Sequence, residues 1–234
     1  MSFSCANGDA DVAAAAALLG EPVRTALVLA VMDRGALPAS ELAAGAGVAP
    51  STASEHLRRL VDGGLLVGAK RGRHRYYELA EPAVAEAVEA LSRVAPQRPV
   101  RSLREATRSE LIREARTCYD HLAGRLGVAV ARALEQSGVV FRRNGTYELG
   151  AAAEPRLAEL GVDLDPLTDG RRPIVRGCLD WSERELHVAG ALGAALAARL
   201  FELGWIERRA ANRSVAVTEA GRESLRERLG MGAA

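Results

Sequence analysis

Residues 37–79 read LPASELAAGAGVAPSTASEHLRRLVDGGLLVGAKRGRHRYYEL, and few folds accept that order. It predicts a short helix over 41–46 with Ser40 as N-cap, then a sharp turn at Gly45 and Gly47, where backbone freedom is needed. A second helix starts at Pro50-Ser51-Thr52 and sets Ala53, Leu57, Leu60 and Val61 on one inward face. Gly63-Gly64 stops that helix. Residues 65–70 and 75–79 read as two strands, joined by the basic turn Arg71-Gly72-Arg73-His74. Helix, turn, helix and hairpin in this order are what a winged helix-turn-helix needs to set one helix in a DNA major groove.

The outer face of the second predicted helix carries Ser51, Glu55, Arg58, Arg59 and Asp62. Small hydroxyls at its start let a groove come close, and arginines at its end suit phosphates. The expected groove contacts are therefore Ser51, Thr52, Ser54, Glu55 and His56. Glu55 is the odd member: it repels phosphate but accepts a hydrogen bond from cytosine N4. The expected phosphate contacts are Arg58, Arg59, Arg71, Arg73 and Arg75, the last three on a hairpin that Lys70 and His74 also crowd. The competing reading is a winged helix used for protein docking, without a DNA site of its own.

Helices are expected on both flanks. Residues 12–34 form one that breaks near Gly20-Glu21-Pro22, and residues 82–94 form another with Val84, Val88 and Leu91 on a stripe. Taken in order, Glu21-Pro22-Val23-Arg24, Glu41-Leu42-Ala43, Ser54-Glu55-His56-Leu57, Gly64-Leu65-Leu66 and Gly72-Arg73-His74-Arg75-Tyr76-Tyr77 resemble the ArsR-type bacterial repressors. The resemblance covers roughly residues 10–95. It implies a homodimer joined through the first and last helices of this part, bound to an inverted repeat in double-stranded operator DNA and released by a signal. The family's two familiar metal sites have no counterpart. Leu37-Pro38-Ala39-Ser40 stands where a cysteine pair is usual, and residues 82–94 contain no histidine.

At 234 residues the chain is long enough for two modest domains. Aromatics make up only 4%, so the core must be Leu, Val and Ala, carried mainly on helices. The net charge of +1 means that any nucleic-acid footprint is local. No apolar run approaches the ~20 residues of a membrane span. The odd, sparse set Cys5, Cys118 and Cys178 argues for reduced thiols in a cytoplasmic protein without a membrane partner. The expected fold is mainly α with small β-hairpin wings (α+β). Its domains are a DNA-binding and dimerisation domain over 10–95, a two-proline linker over 96–101, and a helical, winged-helix-like domain over 102–234.

In the second domain a long helix is expected from Leu103, with Leu111, Ala115, Cys118, Tyr119, Leu122 and Leu126 on its apolar stripe and Gly124 and Gly127 loosening its end. The helix–glycine–basic-turn order of 57–79 recurs faintly over 131–149 and 198–218. A helix over roughly 183–203 opens with the box Ser182-Glu183-Arg184-Glu185. Its small apolar body suits packing and is poor for phosphates. This domain either senses an effector, such as a small molecule, or extends the dimer.

Cys118 and His121 fall one helical turn apart, and Cys178 precedes a helix containing His187. Together they have the ligand types that zinc, or another transition metal, prefers. The alternative is structural: Cys118 and Cys178 as small buried hydrophobes. A Cys118 nucleophile with His121 as base is a third reading. It lacks an orienting third group and an oxyanion loop, so the chain is not expected to be an enzyme.

Overall fold

The computed structural model describes residues 10–96, 99–170, 172–209 and 212–231. Cys5, residues 97–98 of the expected linker and residues 210–211 of the third basic turn lie outside the described residues. Two compact units divide between Ala90 and Leu91, a few residues before the proline pair that the sequence marks as a linker.

The first unit begins with α1 (Val12–Leu19) and α2 (Pro22–Arg34), broken at Gly20-Glu21. Glu21 caps α2, its carboxylate accepting the Arg24 amide hydrogen at 2.8 Å. A two-residue strand β1 (Leu37–Pro38) leads into α3 (Ala39–Ala46) and α4 (Pro50–Asp62). Gly47, at φ 66°, makes the turn between those helices, in a left-handed conformation that other residues adopt at a cost. Ser40 is not the cap of α3: the helix starts two residues earlier, and Pro38 holds the cap position without a side-chain hydrogen bond. Strands β2 (Leu66–Arg71) and β3 (His74–Leu79) form the hairpin, and β1 joins it in the order β1-β3-β2 with Leu37 opposite Tyr77.

The apolar spacing of α4 does what periodicity requires. Ala53, Leu57 and Leu60 are fully buried against the core that Leu27, Val28, Leu42 and Leu66 build. Helix α5 (Pro82–Val94) buries Val84 and Val88, but Leu91 is 49% exposed, off the buried stripe.

In the second unit α6 (Leu103–Glu114) stops where the apolar spacing predicts a longer helix. Residues 116–123 instead form a tight hairpin of β4 (Arg116–Cys118) and β5 (His121–Ala123), and α7 (Gly124–Gln136) follows. Then come the wing β6 (Val140–Arg143) and β7 (Thr146–Leu149), and the short helices α8 (Ala153–Glu159) and α9 (Asp165–Thr168). The pattern then repeats. Strands β8 (Arg176–Leu179) and β9 (Leu186–Ala189) form a hairpin, followed by α10 (Gly190–Glu202), the wing β10 (Ile206–Arg208) and β11 (Val215–Val217), and α11 (Glu219–Leu229), capped by Thr218. The segment 182–185 is thus a strand-to-strand turn and not a helix start, and His187 lies on a strand.

Each opening hairpin docks on the other repeat. Helix α7 packs on β9, and α10 packs on β5. Strand β4 also bonds to the far wing, with Val215 donating its amide hydrogen to Ala115 and Thr117 donating to Arg213. Leu126, Leu134, Tyr147, Leu157, Leu192, Leu200 and Ile206 fill the shared core. This exchange leaves one core and not two beads.

A buried ion pair crosses between the repeats. Both Asp180 oxygens accept from Arg116 Nη2, at 2.9 and 2.8 Å, with the Asp180 and Arg116 side chains 0% and 1% exposed. Asp180 also accepts the amide hydrogens of Gly124, Ser182 and Glu183. Breaking such a pair leaves an uncompensated buried charge, at about 3–5 kcal/mol. Arg116→Met is therefore expected to lower stability by about that amount. Arg34→Met, which loses an exposed bond to Glu41, should cost under about 1 kcal/mol. Urea unfolding of both variants gives the comparison; equal losses would contradict the assigned role of the pair.

Candidate nucleic-acid interface and a buried cysteine–histidine cluster

Helix α4 presents Ser51, Thr52, Ser54, Arg58 and Arg59 to solvent. Their electrostatics differ from the sequence expectation. Glu55 accepts from Arg58 Nη2 and Arg59 Nε, each at 2.9 Å, and Arg58 Nη1 donates to Asp62 at 2.9 Å. The two arginines therefore face two carboxylates, and this face is electrically balanced. The Arg58 and Arg59 hydrogen bonds hold the Glu55 carboxyl down to about 2. Ser54 donates its hydroxyl hydrogen to the Pro50 carbonyl at 2.8 Å, so only its lone pairs face outward. His56 differs from its neighbours on this helix. It is turned inward, with Nδ1 3.4 Å from Glu21 and a side chain only 18% exposed.

The wing carries the unbalanced positive charge. Strand register puts Lys70 directly opposite Arg75, and Arg71 opposite His74. Like charges across a ladder destabilise a hairpin, so a wing built this way suits a polyanion. Arg71 is 3.6 Å from Glu78 and lies over the Tyr76 ring, Arg75 lies over Tyr77, and Arg73 is exposed at the tip.

The helix–wing pieces of the second unit are differently equipped. Helices α7 and α10 bury many of their residues, glycines and alanines included. The wing arginines Arg142 and Arg143 pair with Glu135 and Glu148. A cavity of about 590 Å³ in this unit has an apolar floor that includes Leu126, Leu225 and Met231, with Arg125, Arg132 and Arg226 among its lining charges.

Cys118, His121, Cys178 and His187 do come together, though not as the sequence spacing suggests. Cys118 and His121 are cross-strand partners at the end of β4–β5, and Cys178 and His187 are cross-strand partners in β8–β9. All four are buried, and one ligand atom from each lies within 4.8 Å of the others. The sulfurs are 3.9 Å apart and the two Nε2 atoms 3.2 Å apart. Neither cysteine is in a disulfide.

The sequence carries a signal for this arrangement that the spacing argument misses. His121-Leu122-Ala123-Gly124-Arg125-Leu126-Gly127 is repeated as His187-Val188-Ala189-Gly190-Ala191-Leu192-Gly193, 66 residues on. The last glycine of each copy lets the other copy's histidine approach. A Cβ on Gly127 would sit 2.6 Å from the Leu122 carbonyl oxygen and 3.6 Å from the His187 Cβ. One on Gly193 would sit 2.5 Å from the Val188 oxygen and 3.1 Å from the His121 Cβ. Cys-x-Asp also recurs, as Cys118-Tyr119-Asp120 and Cys178-Leu179-Asp180. Each aspartate stands by a histidine Nδ1, Asp120 at 3.1 Å from His121 and Asp180 at 3.5 Å from His187. An arginine holds each aspartate in turn, Arg172 on Asp120 and Arg116 on Asp180.

Burial opposes charge on His121, but Asp120 and Cys178 outweigh it and raise its pKa. The Cys178 thiol is held far below its ordinary value by the Cys118 hydrogen bond, then by His121 and His187, against burial. Asp120 stays ionised down to about 2 in spite of burial, because His121 and Arg172 bond to it.

Among the described residues, no single helix is long and apolar enough to cross a membrane. A helix-turn-helix domain model matches residues 19–68. The uncharacterized HTH-type transcriptional regulator YdfF of Bacillus subtilis (strain 168) is 39% identical over 219 residues, which cover 94% of this chain and 97% of the relative. Among solved structures, the transcriptional repressor BigR of Xylella fastidiosa is 27% identical. It covers 38% of this chain and 89% of its own, with a TM-score of 0.35. The cadmium sensor CmtR of Mycobacterium tuberculosis is 30% identical and covers 39% and 99%, with a TM-score of 0.32. Near-full-length identity to YdfF, together with the exposed helix and basic wing, means that the chain belongs to the helix-turn-helix transcriptional regulators.

Proposed function

We propose that this regulator is an ArsR-like repressor that binds an inverted repeat in operator DNA as a homodimer in the cytoplasm. Its first unit reads the operator, and its second unit senses an effector or steadies the dimer. The carrying observation is the juxtaposition of a solvent-exposed, hydroxyl-led α4 with a wing whose cations oppose one another across the ladder. Ser51, Thr52, Ser54 and Glu55 are the proposed groove residues. His56 is not among them, because it faces Glu21. Arg71, Arg73 and Arg75 are the primary phosphate contacts. Arg58 and Arg59 reach phosphate by exchanging their bonds to Glu55 and Asp62 for bonds to the backbone, a swap between two anionic partners at similar cost.

Support for dimerisation comes from apolar surface on the terminal helices of this part. Helix α1 reads VAAAAALL and has no buried residue. Leu91 and Val94 of α5 are 49% and 81% exposed. Apolar helix faces of this kind are what a two-fold interface buries. In the second unit the cavity, lined by Leu126, Leu225 and Met231 together with arginines and the carboxylates of Glu114, Glu183 and Glu185, suits a small organic molecule with polar groups as effector.

Fluorescence anisotropy on duplex from upstream of the chain's own gene tests the DNA reading. Arg71→Ala with Arg73→Ala is expected to weaken binding across all sequences and to lower the slope of log K against log salt by roughly one per lost phosphate contact. An unchanged slope would remove the wing from the interface, and no binding to any duplex would favour a protein-docking role. For the dimer, Leu91→Glu with Val94→Glu should yield a monomer in sedimentation at concentrations where the parent is dimeric. It should also lose at least roughly tenfold in operator affinity, since a single half-site remains. A dimer of undiminished stability would place the interface elsewhere.

A further inference from the structure

We propose that Cys118, His121, Cys178 and His187 form a closed, tetrahedral zinc-type centre that staples the two repeats of the second unit. The sulfur–sulfur and nitrogen–nitrogen separations fit, and the widest ligand-atom separation, 4.8 Å, closes by about 1 Å on a bound ion. Bonds of about 2.3 Å to sulfur and 2.0–2.1 Å to nitrogen put tetrahedral neighbours about 3.8 Å apart for S–S and 3.3–3.4 Å apart for N–N. The sulfurs here are 3.9 Å apart and the Nε2 atoms 3.2 Å apart. A disulfide needs about 2.05 Å between sulfurs.

Ligand chemistry agrees with that geometry. Both histidines turn Nδ1 to an aspartate, at 3.1 Å for His121 and 3.5 Å for His187, and turn Nε2 toward each other. Two imidazole nitrogens at 3.2 Å, beside two sulfurs and shut away from water, are a ready set of ligand atoms for a cation that displaces the proton between them. A divalent ion with two thiolates and two neutral imidazoles gives a neutral buried site. The Arg116–Asp180–His187 and Arg172–Asp120–His121 chains are the outer partners that fix ring tautomer and orientation in zinc sites. A sulfur–nitrogen tetrahedron favours zinc over magnesium or calcium, which take oxygen.

The centre supplies all four ligands from protein and keeps no open position, so it serves structure or metal-dependent signalling and not hydrolysis. Each cysteine–histidine pair comes from one hairpin, and each hairpin docks on the other repeat. The metal therefore links segments 60 residues apart in sequence. Its place on β4, β5, β8 and β9, outside the winged helix of the first unit, makes it independent of the DNA-binding reading.

The full chain purified without chelator is the sample, and its metal content is measured without DNA. One zinc per chain is expected, with X-ray absorption counting two sulfur and two nitrogen neighbours. Cobalt added to the metal-stripped protein should give the intense ligand-field bands of a tetrahedral thiolate site. Cys178→Ser should lose the zinc, whereas Cys5→Ser should keep it. If Cys178→Ser does not fold, the absorption count and the cobalt spectrum of the parent chain decide. Zinc far below one per chain with no tetrahedral cobalt spectrum overturns the proposal. So does a Cys118–Cys178 disulfide recovered in place of metal, which would make the cluster a redox pair.

Discussion

The second unit depends on one buried carboxylate. Asp180 neutralises Arg116 from the first hairpin, accepts the amide hydrogen that opens α7, organises the turn of its own hairpin, and stands behind His187. Four demands on two oxygens leave little freedom. A charge this deep is tolerable only because each lone pair is used, and that saturation fixes the two repeats relative to each other. The Cys and His side chains are brought into range as a consequence.

The same sequence pattern is put to two uses. In the first unit a helix followed by a basic hairpin stands in solvent. In the second, two such pieces exchange their opening hairpins and turn their helices inward, where glycine and alanine permit close approach. Charge follows the same division. Lys70 and Arg75 oppose each other on the first wing, whereas Arg142 and Arg143 of a second-unit wing are matched by glutamates. An unmatched cationic ladder is a cost in a free hairpin and a gain against phosphate.

Much of the first unit is legible in the sequence because its helices are long enough for a 3.6-residue period and end on glycine. The span of α4, the stop at Gly63 and the two wing strands all follow from that. Misplaced residues have local physical reasons. Helical position alone puts His56 in the groove set, but Glu21 at the start of α2 draws it inward. The opening hairpins of the second unit escape a periodicity argument because three- and four-residue strands are too short to display a period of two. Leu111, Leu122 and Leu126 also mimic one helical stripe across β4 and β5. Ser182-Glu183-Arg184-Glu185 has the form of a capping box, but Asp180 takes the Ser182 and Glu183 amides and makes a turn. The four cluster residues come together by a different route from the one the sequence suggests. Proximity comes from strand register and a 66-residue repeat, not from adjacent turns of one helix.

Labour is divided between an exposed helix and wing in the first unit and an inward-turned second unit. Amide hydrogen exchange of the full chain, with and without operator duplex, measures it most directly. New protection is expected over α4 and the β2–β3 wing, with exchange in α7 and α10 unaltered. Protection concentrated on α10 and the β10–β11 wing, with α4 unchanged, would contradict it.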